Sequence, residues 1–238
     1  MDVKAKPLGR KSYGSIGHLP DSRLGEGDHK LNEGQTRILT EKARDKYDCI
    51  IVQEKLDGSN VSVARKNGQI IALGRAGYLA QTSKYEQHQL FADWVRNNET
   101  RFTFLEEGEW LSGEWLAQAH GTRYELSYRK PFSPFDLFAP DGTRFLFDAF
   151  CDRLYQAKNT LVMPHCLSVG PPMSTKLAFE LLGDSGFHGA MEYAEGVVYR
   201  VERKGKVDFL GKCVRKDKID GYYLPEISGK EAVWNWRP

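Results

Sequence analysis

The chain has 238 residues, of which 40% are hydrophobic and 28% charged, with a formal net charge of +2. That length can bury a substantial core in one large or two small domains, and the composition is that of an ordinary globular protein. No stretch approaches the ~18 uncharged apolar residues of a membrane span. The opening MDVKAKPLGRKSYG lacks a signal-peptide core, and four scattered cysteines without a C-x-x-C pair argue against zinc or a disulfide framework. The expected setting is a reducing cytoplasm, with no membrane partner.

Residues 1–34 are rich in Gly, Ser, Pro and charge and read as irregular structure. A short helix is expected from about Thr36 to Asp45. CIIVQ at 49–53 is an apolar run bounded by charge, the pattern of a buried strand. NVSVAR (60–65) and QIIALGR (69–75) are strand-like and joined through Asn67-Gly68, a strong hairpin signal. A helix from about Lys84 to Asn98 places Leu90, Phe91, Trp94 and Val95 on one side. Strands are then expected at 109–117, 135–138 and 144–150, and a helix at about Thr175 to Leu182. A second hairpin, EGVVYRVER with KVDFLGKCVR, turns at Lys204-Gly205. Short antiparallel strands with few helices make the expected class α+β.

Net charge does not announce a nucleic-acid protein, but its distribution is uneven. From Arg200 to Lys218 eight Lys or Arg stand against three acids. Such a run is as readily a solvated face as a phosphate-binding one.

The segment Glu54-Lys55-Leu56-Asp57-Gly58-Ser59-Asn60 lies between a buried strand and a hairpin strand. A lysine there can act as a nucleophile if desolvation or neighbouring cations keep its amine unprotonated. Gly58 permits close backbone approach to a ligand. Alone, K-x-D-G arises by chance in about one chain in twenty of this length.

The tetrad does not stand alone. EKLDGSN resembles motif I of the covalent nucleotidyltransferases, the polynucleotide ligases and mRNA capping enzymes. Arg75 in LGRAGY resembles the motif Ia arginine, and Glu114 in LSGEWL the ribose-binding glutamate of motif III. Phe135 in FDLF, followed by FLFDAF, resembles motif IIIa, whose aromatic ring stacks on adenine. Glu195 in EGVV resembles the metal-binding glutamate of motif IV. GKCVRK (211–216) resembles motif V, whose basic residues contact the α-phosphate. Taken singly, each has an ordinary reading: a solvated carboxylate, a core phenylalanine, a turn. Their order over 54–216 is what raises them.

Asn60, five residues after Lys55, and the run SYGSIGHLPDSRLGEGDHK (12–30) are similar to ATP-dependent RNA ligases of the second phage type. The resemblance implies a nucleotidyltransferase (adenylation) domain of antiparallel sheets with flanking helices and an ATP cleft between them. Residues 1–34 would pack on that domain, 35–218 would form it, and 219–238 would be a short tail without an OB-fold. Only 22 residues follow Lys216.

The implied reaction has Lys55 take AMP from ATP, pass it to an RNA 5′-phosphate, and seal the strand to a 3′-hydroxyl. Partners would be RNA ends, including those of a nicked duplex, and the implied role is RNA repair. Lys55, Asp57 and Lys212 would be catalytic. Glu54, Asn60, Arg75, Glu114, Phe135, Glu195 and Lys212 would contact the nucleotide. Glu195 would hold Mg²⁺ or Mn²⁺. Motif V departs from the family's two lysines one residue apart, because Val214 follows Lys212 by two. A bulged strand would let Arg215 or Lys216 share the work. The alternatives are a polynucleotide 5′-adenylyltransferase that seals weakly, and a catalytically silent nucleic-acid-binding module.

Overall fold

A computed structural model describes residues 5–126, 130–156 and 161–238. The chain forms two compact units: Met1–Gly14, Ser59–Ala117 and Lys130–Met163 make the first, and Ser15–Gly58, Gln118–Arg129 and Pro164–Pro238 the second.

In chain order the principal elements are β1 (Gly17–His18), α1 (Glu33–Thr40), β2 (Asp48–Lys55), β3 (Ser59–Lys66), β4 (Gln69–Gly74), α2 (Glu86–Asn97) and β5 (Trp110–Trp115). They continue with β6 (Phe132–Phe138), α3 (Phe147–Gln156), β7 (Cys166–Gly170), α4 (Thr175–Leu182), β8 (Gly196–Arg203) and β9 (Lys206–Val214). The expected α+β class with antiparallel sheets is what the structure has.

The first unit holds a four-stranded sheet in the order β4-β3-β5-β6, antiparallel throughout. The β3–β4 hairpin turns at Asn67 (φ 52°) and Gly68 (φ 74°), two consecutive left-handed residues that follow the twist of the strands. Helix α2 buries Phe91, Ala92, Trp94 and Val95. Phe91 and Trp94 meet Trp115 with ring centroids 5.2 and 5.6 Å apart, in an aromatic core that also takes in Phe132. Pro134 is tolerated in β6 because this is an edge strand, where a missing N–H costs no ladder bond. Beside it the β5–β6 register shifts: Ser112 pairs with Asp136 and Gly113 with Pro134, so Phe135 is the extra, bulged residue.

The second unit holds a five-stranded sheet in the order β1-β9-β8-β2-β7. Ile50 and Val52 of β2 and Val197, Tyr199 and Val201 of β8 point from one face into a core closed by Leu39 of α1 and Ala178 and Leu182 of α4. The β8–β9 hairpin turns at Lys204 (φ 49°) and Gly205 (φ 76°).

Three expectations need correction. Residues 144–150 are not a strand: Phe147, Phe150 and Leu154 recur at the helical period and form the buried stripe of α3. Helix α1 begins three residues earlier than expected, because Asn32 accepts from the Gln35 N–H and the Gln35 side chain returns to the Asn32 N–H, a complete capping box. Residues 15–31 are not all irregular, since β1 pairs in parallel with β9.

Candidate active site

The antiparallel register of β2 and β8 sets Lys55 opposite Gly196, and that of β8 and β9 sets Gly196 opposite Val214 and Val198 opposite Lys212. Lys55 and Lys212 therefore project from the sheet face opposite the apolar core. Gly196 has no room for a side chain, because a Cβ there would stand 2.0 Å from the Cys213 carbonyl oxygen.

Glu195, immediately before β8, brings Oε2 to 2.5 Å from Lys55 Nζ, and both groups are largely covered. Burial pushes the Glu195 carboxyl above its ordinary range, and the Lys55 charge opposes that only in part. Lys212 is pushed down, first by burial and then by the charge of Lys55, while Asp28 and Glu195 hold it up.

Asp57 is largely covered and anchored through Oδ2. Its carboxylate accepts from the Gly121 N–H at 2.7 Å and from Lys218 Nζ, and Lys218 also donates to Thr122 Oγ1 at 2.7 Å. The Asp57 N–H donates to the Tyr124 hydroxyl at 2.9 Å. Burial alone would raise the Asp57 carboxyl, but the charge and hydrogen bond of Lys218 outweigh it and hold the group below the usual range. Tyr124 remains a phenol, since burial raises it well above its ordinary value and the charges of Asp57 and Glu195 add to that.

Glu54 is buried, and its carboxylate accepts from the Phe187 N–H at 3.1 Å and from the His188 N–H at 3.4 Å. This ties down the turn carrying Phe187, whose ring stacks on His165 at 3.8 Å.

Of the proposed companions of Lys212, neither Arg215 nor Lys216 is brought to Lys55. Arg215 donates through Nε to the Ala194 carbonyl at 2.8 Å and through Nη2 to that of Gly183, with its guanidinium over Phe179 and Tyr193. Lys216 is exposed, with Nζ 3.3 Å from Asp21. The β9 bulge falls at Asp208, far from Lys212, so no slip turns residues 215 or 216 inward. The buried lysine of this stretch is Lys218, which no motif spacing had marked.

The other candidates belong to the first unit. Glu114 of β5 is directly opposite Asn60 of β3, and Asn60 Oδ1 is buried with no hydrogen-bond partner among the described residues. Phe135 projects from its bulge with Tyr13 edge-on at 5.2 Å, while the Tyr13 hydroxyl donates to Asp136 at 2.7 Å. Bulges re-aim side chains in this way beside functional sites. Arg75 is exposed, and its Nη2 donates to the Gly14 carbonyl at 3.0 Å.

No group of three or more His, Cys, Asp or Glu suited to a metal occurs among the described residues. Glu195 is nevertheless a hard oxygen donor of the kind Mg²⁺ and Mn²⁺ accept, and such ions commonly use one or two carboxylates with waters and substrate phosphates completing the shell. The donor set fits an ion of that class. Among the described residues no helix is long and apolar enough to cross a membrane.

Comparison with solved structures places the fold. The chain is similar to the RNA ligase of Naegleria gruberi in an apo mutant form, with a TM-score of 0.56 and 16% identity over 93% of this chain and 60% of that one. The same ligase with PPi gives 0.55 and 18% over 93% and 63%, and a mutant with ATP and Mn gives 0.54 and 18% over 84% and 60%. The chain thus spans about three fifths of the length of those structures. No curated protein matches it. The two mainly antiparallel sheets with few helices are those of the nucleotidyltransferase fold of RNA ligases. A family model described as RNA ligase matches residues 48–214, and the chain belongs to that family.

Proposed function

We propose that the protein is an ATP-dependent RNA ligase working through a covalent Lys55–AMP intermediate. The observation that carries this reading is the Lys55–Glu195 pair, with Lys212 on the same sheet face, in a chain of the RNA ligase family. The Lys55 nitrogen would bond to the α-phosphorus of ATP as the bond to pyrophosphate breaks, and the nitrogen would lose a proton. Such transfers need little covalent help from the protein, so positioning and charge neutralisation dominate.

Glu195 aims Lys55 through the 2.5 Å contact of Oε2 with Nζ. Glu195 would hold a Mg²⁺ or Mn²⁺ ion, which would supply charge neutralisation at the phosphates, and a carboxylate so engaged would favour the free amine of Lys55. Lys212 would neutralise the α-phosphate. Asp57, bound by Lys218 and Gly121, fixes the turn that carries Lys55. In the first unit, Glu114 and Asn60 would meet the ribose and Phe135 the adenine, with Arg75 as a further nucleotide contact. Glu54 already serves the Phe187 turn, and adenine contact would add to that role.

The activated AMP would then pass to an RNA 5′-phosphate, and a 3′-hydroxyl would displace it. Incubation with nicked RNA, ATP and Mn²⁺ tests the full cycle. Sealed strand is expected; accumulation of 5′-adenylylated strand without sealing would make the protein an adenylyltransferase instead.

A further inference from the structure

The segment before α1 is bound to the strand that carries Lys212. His18 pairs with Lys212 in parallel register, the Leu19 N–H donates to the Lys212 carbonyl at 2.9 Å, and the Val214 N–H donates to Ser22 Oγ at 2.9 Å. Two side chains of the segment then converge on the lysine. Asp28 Oδ1 is 3.5 Å from Lys212 Nζ, and Asp28 Oδ2 is 3.0 Å from His18 Nε2. The other imidazole nitrogen, Nδ1, is 2.6 Å from Ser22 Oγ, and the Gly25 N–H donates to Asp28 Oδ2 at 2.9 Å. Asp28 is therefore anchored by the Gly25 N–H, with His18 Nε2 beside the same oxygen, while its other oxygen faces the lysine. His18 is 2% exposed, so the anchor is built into the fold.

We propose that Asp28, oriented by His18 and the Gly25 N–H, is a positioning residue that aims Lys212 at the nucleotide phosphate. The proposal rests on the reading of Lys212 as the α-phosphate contact. Motif V here has no second lysine beside Lys212, so the single cation carries more of the charge neutralisation. The charged and titratable groups facing Lys212 are Lys55, Glu195, Asp28 and His18. Burial and Lys55 both disfavour the ammonium, and Asp28, within ion-pair distance, opposes them in part. His18 is itself pushed down, by burial and then by Lys212, so it stays neutral at pH 7 and orients Asp28 without competing as a cation.

Two measurements on full-length wild type, Asp28→Asn and Asp28→Glu test this. The first is the single-turnover rate of AMP-adduct formation across ATP concentration. The second is the rate at which an amine-specific acetylating reagent modifies Lys212, followed by mass spectrometry without ATP. In Asp28→Asn the maximal adduct rate is expected to fall about tenfold with a smaller change in KM, because transition-state charge is what Lys212 meets. Lys212 acetylation is expected to quicken severalfold, and Asp28→Glu should recover most of both effects. A merely structural Asp28 would leave Lys212 reactivity unchanged, and that result in a variant with wild-type thermal stability would overturn the proposal. If Asp28→Asn unfolds, Asp28→Glu decides: the ion pair restored with near-normal rate and reactivity supports it, and a rate as low as in Lys212→Ala overturns it. An enzyme whose Lys212→Ala variant forms adduct at the wild-type rate would instead overturn the role given to Lys212.

Discussion

Two buried lysine–carboxylate pairs flank the K-x-D-G turn, and they do different work. Lys55 and Glu195 are both reactive groups in the proposed chemistry, whereas Lys218 and Asp57 are packed away, with side chains 6% and 13% exposed. Removing one member of a buried pair leaves the other charge uncompensated, which costs about 3–5 kcal/mol. Lys218→Ala is therefore expected to lower stability by about 3 kcal/mol in urea unfolding. Lys216→Ala, at an exposed pair, should stay within about 0.5 kcal/mol of wild type. Equal losses in the two variants would contradict the assignment of Lys218 as the buried lysine.

Lys218 was legible only as one of eight cations in a basic run. Its pairing depends on the loop at Gly121 and Thr122, nearly a hundred residues away, and no local spacing encodes that. Lys55, Glu195 and Lys212 were each marked by a motif, but the shared sheet face of Lys55 and Lys212 follows from a register that only the folded sheet fixes.

At the scale of elements, β8 must lie close against β9 for the site to form, and Gly196 leaves no room for a Cβ between them. Gly196→Ala would drive a methyl group toward the Cys213 carbonyl. The expected result is a loss of about 1–3 kcal/mol in stability, the usual cost of overpacking, and slower adduct formation because Lys55 and Glu195 are displaced together. Gly205→Ala offers a contrast. Its Cβ meets nothing within 4 Å, but its φ of 76° makes the change costly through the backbone alone, with adduct formation spared. Thermal melts beside adduct rates separate the two, and an active Gly196→Ala would refute the packing argument.

Hairpins were the most legible elements, because Asn67-Gly68 and Lys204-Gly205 encode their turns locally. Helix α3 was missed because the residues around its start, RFLFDA, are as apolar as a buried strand, and the helical period shows only when Leu154 is included. The bulge at Phe135 was likewise invisible, since it is defined by two strands and not by one.

Over the whole molecule, the charge distribution predicts how stability responds to acid. Arg203 grips Asp45 and Asp48, and Arg44 joins Asp48 to Asp208. Asp45 is held well below the usual carboxylate range by its hydrogen bonds to Arg203, and Asp48 is lowered by Arg44 and Arg203 despite its burial. A carboxylate lowered on folding stabilises above its unfolded pKa, about 4, and that stability is lost as pH falls through the folded value. His18 and His120, lowered chiefly by burial, act in the same sense from about pH 6.5 downward, because the unfolded chain binds their protons more readily. Glu195 opposes the trend, since its raised carboxyl relieves a cost as pH falls. The melting temperature should be level between about pH 7 and 8, decline below 6.5 and drop steeply below 4. A profile flat from pH 7 to 3.5 would contradict this balance.

The central claim is that Lys55 becomes covalently bound to AMP. Incubating the protein with ATP labelled at the α-phosphate, in Mg²⁺ or Mn²⁺, tests it most directly. The expected product is a labelled protein adduct, labile to acid and stable to alkali, that is absent from Lys55→Ala. No adduct with either ion, or an adduct unchanged by Lys55→Ala, would contradict it.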